Sequence, residues 1–191
     1  AGSFLAQVAC TQFTADSIVE YHRFFNHDEP TRKAWGAGQE MTVPGILTAR
    51  KDGNNINIKG YQHFAAWWML THEMKFEYGG ILGDEMGFGK TLTMIYMIVL
   101  YYLLVENQEE VRQSRELEAS GEGEHLRLGQ AGKCNRSQHF GFQCSCEQGS
   151  LAARKITMHG ATLIVSVPAV ISSWRDEFVR WVDQDVAPLR V

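Results

Sequence analysis

Gly79-Gly80-Ile81-Leu82-Gly83-Asp84-Glu85-Met86-Gly87-Phe88-Gly89-Lys90-Thr91 joins a short apolar stretch to a glycine-spaced turn, and the apolar run Leu92 to Val105 follows directly. The order reads as strand (80–83), turn and helix. Backbone N–H groups around Gly87 and Gly89, the ammonium of Lys90 and the hydroxyl of Thr91 are the groups that hold a triphosphate and its magnesium at a helix N-terminus. In that reading Lys90 reaches the terminal phosphates and Thr91 ligates magnesium. The strict pattern has Gly, four residues, then Gly-Lys-Ser/Thr, but its first position here is Asp84. The plain alternative is a glycine-rich turn with an incidental Lys-Thr pair.

Working outward, Tyr61 to Met74 contains Phe64, Trp67, Trp68 and Leu70, which predicts an apolar helix of about 13 residues. The helix from about Lys90 to Val105 is apolar nearly all round, so it packs inside a domain. It is also too short, at about 14 apolar residues, to cross a bilayer, which takes about 20. Downstream, Ala161 to Val167 is a β-branched run ending at Pro168. Ala169 to Asp183 then places Val170, Ile171, Trp174, Phe178, Trp181 and Val182 at helical spacing. The sum is β-α-(insertion)-β-α, an α/β class pattern with a parallel sheet and right-handed crossovers. Ligands of such sheets bind at the carboxyl ends of the strands, where the glycine loop lies.

Gly83-Asp-Glu-Met-Gly-Phe-Gly-Lys-Thr91 resembles motif I of the Swi/Snf-type helicase-like ATPases, in which Asp stands at the position of Asp84. Tyr61-Gln62, ahead of Trp67, resembles the segment preceding that motif, whose glutamine is implicated in adenine recognition. Leu163-Ile-Val-Ser-Val-Pro168 with Trp174, Glu177, Phe178 and Trp181 resembles motif Ia, an element that lies against the DNA backbone. The resemblance covers about residues 59–105 and 161–183. It implies an incomplete RecA-like P-loop lobe, with Gln62 and Asp84, Glu85, Met86, Gly87, Phe88, Gly89, Lys90 and Thr91 around ATP, Lys90 catalytic, and Pro168 at a DNA phosphate. It further implies double-stranded DNA or nucleosomes as partners, a nuclear setting, and work in chromatin remodelling or DNA repair. Members also use an acidic Asp-Glu-Ala/Gly-His box and arginines of a second lobe. Neither occurs within these 191 residues, so the isolated chain is expected to bind nucleotide weakly at best and to hydrolyse none measurably. A non-catalytic interaction fragment and an unrelated P-loop protein are the competing readings.

The remaining segments divide the chain. Residues 1–58 form a lead-in, with one amphipathic helix over Ala15 to His27 capped by Thr14 or Asp16 and turn signals at 28–30 and 51–55. Residues 59–191 carry the ATP-binding lobe, interrupted by a charged, Gly- and Ser-rich insertion at about 106–159 whose first ten residues are compatible with continued helix. An insertion there is a feature of members related to the helicase-like transcription factor. Within it, Cys134, His139, Cys144 and Cys146 make Cys-x4-His-x4-Cys-x-Cys, a set able to bind zinc; unligated thiols are the alternative.

Composition sets the outer bounds. With 45% hydrophobic and 11% aromatic residues the chain can build a core, and its net charge of -4 neither supports nor excludes nucleic acid. The start at Ala1 carries no basic-then-apolar leader. Four cysteines are too few for a disulfide framework in a chain of this size, which fits a reducing, intracellular compartment.

Overall fold

The computed structural model describes residues 14–36, 38–47, 57–73, 80–120, 134, 136–147, 149–154 and 162–190. The turn signals at 51–55, Gly79 at the head of the glycine loop, Cys10 and Ala161 lie outside the described residues. Helix α1 (Ala15–Phe24) starts where Thr14 Oγ1 accepts the N–H of Ser17 at 3.1 Å. Helix α2 (Glu29–Ala34) starts at Asp28, whose carboxylate accepts the N–H of Thr31, with Pro30 in its first turn. Two short antiparallel strands follow, β1 (Glu40–Met41) and β2 (Ile58–Lys59), with Glu40 opposite Lys59 and Met41 opposite Ile58. β2 runs straight into helix α3 (Gly60–Glu73).

Helix α4 (Lys90–Ser120) is the axis of the fold. Its first half is buried from Ile95 through Leu100 and again at Leu103 to Val105, and it packs along α3 through Phe64, Trp67 and Leu70. The apolar run ends at Val105, but the helix continues 15 residues into the insertion. There Glu109, Arg112 and Glu116 form ion pairs on its exposed face. Helices α5 (Arg136–Phe140) and α6 (Ile171–Trp181) dock on it, α6 through Phe178 and Trp181. The Ile46–Val182 bridge and the bond from Leu47 N–H to the Trp181 carbonyl at 2.7 Å tie the end of α6 to residues 45–47.

The lead-in helix shares this core. Tyr21 of α1 is fully buried among Phe25, Trp35, His63, Phe64 and Trp67, with ring centroids 5.2–5.6 Å away. Its hydroxyl accepts from Trp35 Nε1 at 3.2 Å and lies 2.7 Å from His63 Nδ1. A tryptophan N–H can only donate, so the tyrosine proton is free to point at the histidine. Burial then holds both groups neutral: it raises Tyr21 far above its usual range and lowers His63 to about 3.

Among the described residues the structure is mostly helical and its one sheet has two antiparallel strands; the expected parallel sheet is not seen among them. Residues 80–85 and 162–167 run without ladder partners. The reason lies in the same β-branched run that predicts a strand. Leu163 and Val165 are each 86% exposed, and Ile81 is exposed as well. A strand is made by hydrogen bonds to neighbours on its edges, and no described segment pairs with either stretch.

Candidate functional site

The glycine loop hangs between residues 80–85 and the first turn of α4. Gly87 has φ 91° and Gly89 φ 74°, left-handed values that side-chain-bearing residues rarely adopt. These two residues turn the chain so that α4 can begin at Lys90. Space adds a second constraint at Gly89: a Cβ there would stand 2.5 Å from Gln62 Nε2.

Gln62 lies in the first turn of α3, is 4% exposed, and works through both ends of its amide. Oε1 accepts the N–H of Lys59 at 3.0 Å, while Nε2 faces the carbonyls of Phe88 at 3.3 Å and Gly89 at 3.4 Å. The Tyr61 hydroxyl donates to the same Phe88 carbonyl at 2.9 Å, and its ring meets that of Phe88 edge-on. Burial, then the Asp84 carboxylate, raises the Tyr61 pKa and keeps this donor neutral. The start of α3 therefore tethers the loop through Tyr61 and Gln62. Contact between Gln62 and an adenine requires its amide to exchange one of these partners.

Lys90 Nζ donates to the carbonyls of Asp84 and Glu85, both at 2.8 Å, so the loop wraps the ammonium. Thr91 is half-buried one residue on, and Thr93 Oγ1 caps back to the Gly89 carbonyl at 3.2 Å. Glu85, Met86 and Phe88 point outward, Met86 with 93% of its surface exposed. Positive-φ glycines, a helix N-terminus whose N–H groups at Lys90 to Leu92 have no backbone partner among the described residues, an ammonium and a hydroxyl together fit a triphosphate. Pro168 opens an exposed 3-10 turn (Pro168–Val170) ahead of α6.

A second cluster lies on the same helix about 25 Å further along, at 1.5 Å per residue from Lys90 to Asn107. The sulfurs of Cys134, Cys144 and Cys146 all fall within 4.8 Å of one another, with 3.3 Å between the last two. His139 is not among them; it sits on α5, exposed, with its ring edge-on to Phe140 at 4.9 Å. Spacing in the chain placed it with the cysteines, whereas the short helix turns it away. Burial pushes the Cys146 thiol up, and Cys144 and Cys134 beside it push the same way. Burial also raises Cys134, but the N–H of Arg136 and the neighbouring thiols outweigh it and leave Cys134 below its usual value. Sequence reading missed Tyr61 as a loop tether and Asn107 as a partner of Cys144.

Residues 61–190 match the SNF2-related domain. Transcription termination factor 2 of Drosophila melanogaster is 27% identical over 139 residues, which are 73% of this chain and 12% of that protein. The chain thus spans about an eighth of that relative's length, and no solved structure matches it. The glycine loop and Gln62 that tethers it both lie inside the matched region, and the chain belongs to the SNF2-related domain family of Swi/Snf-type helicase-like proteins.

Proposed function

We propose that this chain supplies the ATP-binding part of a RecA-like lobe in a nuclear, DNA-dependent ATPase that acts in chromatin remodelling or DNA repair. The observation that carries the proposal is the docked glycine loop: Gly87 and Gly89 at positive φ, Lys90 in the first turn of α4, and Gln62 bonded to the loop carbonyls. Lys90 and the first-turn N–H groups hold the phosphates, Thr91 ligates magnesium, and Gln62 selects adenine. Bound magnesium offsets the charge of the phosphate oxygens. The exposed turn that Pro168 opens, Pro168 itself having no N–H, offers the backbone N–H of Ala169 to a DNA phosphate, a contact that positions without reading sequence. Family membership and the relative named for transcription termination support the DNA partner. No described helix is long and apolar enough to cross a membrane.

The test is nucleotide selection. Gln62→Ala should narrow the preference for ATP over GTP about tenfold or more, the loss of one well-placed polar contact at about 1.4 kcal/mol. A purely structural role for Gln62 weakens both nucleotides equally, and an unchanged ATP/GTP ratio refutes adenine recognition.

A further inference from the structure

We propose that Cys134, Cys144 and Cys146 bind a structural zinc ion that fastens the insertion onto the second half of α4. Three thiolates around zinc at about 2.3 Å stand about 3.8 Å apart in a tetrahedral set. Sulfurs mutually within 4.8 Å, two of them at 3.3 Å, surround that spacing and need only small rotations to meet it. The closest pair is too far apart to be bonded, since a disulfide holds its sulfurs at about 2.05 Å. Soft thiolate ligands select zinc over hard cations.

The shell outside the sulfurs is built as metal sites build it. Asn107, fully buried on α4, donates Nδ2 to Cys144 Sγ at 3.3 Å and accepts the N–H of Ser145 on Oδ1 at 2.9 Å. Glu147, also buried, accepts the N–H of Cys134 at 3.1 Å and the hydroxyl of Ser137, which itself accepts the N–H of Cys144 at 3.0 Å. Each ligand-bearing strand of chain is thereby oriented by a side-chain hydrogen bond. Val111 of α4 closes the apolar side of the cluster. Ser145 Oγ, buried on the residue linking two of the cysteines, has no hydrogen-bond partner among the described residues. The fourth position is left to water.

The ion has a structural consequence. Residues 140–143 beside the cluster carry Phe140 and Phe142 into the core against Phe24 of α1, and the Gln143 N–H donates to the Phe24 carbonyl at 2.8 Å. A charged, glycine-rich insertion has little apolar surface to bury, and a metal supplies the missing folding free energy. The zinc thus orders an insertion that the Asn107 bonds join to α4 and the Gln143–Phe24 bond joins to α1.

Metal analysis of the chain purified under reducing conditions decides the matter. One zinc per chain is expected, lost in Cys144→Ser and Cys146→Ser. Should those variants fail to fold, the reduced, metal-stripped wild-type chain is titrated with cobalt(II), and a thiolate-to-cobalt charge-transfer band is expected that zinc abolishes. Asn107→Ala should weaken zinc about 10- to 100-fold while the cobalt band keeps its thiolate character. Absence of stoichiometric metal together with no cobalt band, stoichiometric copper or iron in place of zinc, or a Cys144–Cys146 cross-link in the native chain would each overturn the assignment.

Discussion

Replacing Gly89 by alanine tests whether the loop is held as described, and its size can be worked from two observations. The first is backbone strain: an L-residue at φ 74° costs about 1–2 kcal/mol. The second is the 2.5 Å approach of the new methyl to Gln62 Nε2, which displaces an amide bonded to Lys59 N–H and facing two loop carbonyls. Losing that net contact adds about 1 kcal/mol. The total is about 2–3 kcal/mol. Gly87 is the internal control, because it has φ 91° and a methyl added there would meet nothing within 4 Å, so Gly87→Ala carries the strain alone. Chemical denaturation of the two variants should therefore separate them by about 1 kcal/mol. Gly89→Ala combined with Gln62→Ala removes the clash and should be less destabilised than the sum of the single changes by about 0.5 kcal/mol or more. Equal destabilisation at Gly87 and Gly89 with strict additivity to Gln62 would refute the tether.

The buried histidine makes stability depend on pH in a fixed direction. His63 is lowered to about 3 by burial, then by His27, so below pH 6.5 the unfolded chain takes up a proton that the folded chain refuses. Stability present above pH 6.5 is lost toward pH 3 at up to about 1.4 kcal/mol per pH unit, about 2 kcal/mol by pH 5. His27, lowered to about 4 chiefly by burial, adds in the same sense. Thermal melts that do not change between pH 6.5 and 5 would contradict this. Trp67→Ala empties a site with 1% exposure between α1, α3 and α4 and should cost about 3–5 kcal/mol in denaturant unfolding; a loss under 1 kcal/mol would mean that the core is packed elsewhere.

The helices were legible because their signals are local. Thr14 ahead of Ala15, the apolar series from Phe64 to Leu70, and the apolar run from Leu92 mark α1, α3 and the start of α4 within a few residues, while the end of α4 at Ser120 lies well beyond that run. The glycine loop was legible for the same reason, since Gly87, Gly89 and Lys90 are neighbours in the chain. The sheet was not, because the run at 162–167 is β-branched whether or not another strand lies beside it. Pairings across long sequence separations were equally hidden. Tyr21 meets His63 42 positions away, and Asn107 meets Cys144 37 positions away. Periodicity describes which face of a helix is apolar, not what covers it. The cysteine spacing brought His139 in and left Asn107 out, where the folded chain does the reverse.

Direct binding of magnesium-ATP to this chain, compared with its Lys90→Ala variant, tests the nucleotide site at its centre. Lys90 Nζ makes two 2.8 Å bonds to the carbonyls of Asp84 and Glu85 and brings a positive charge to the loop. A charge-assisted hydrogen bond is worth about 1.5–3 kcal/mol, so saturable binding by the wild type should weaken about 10- to 100-fold in the variant, with the fold unchanged by circular dichroism. Equal affinity of the two proteins would contradict the assignment of the loop at 83–91 as an ATP site.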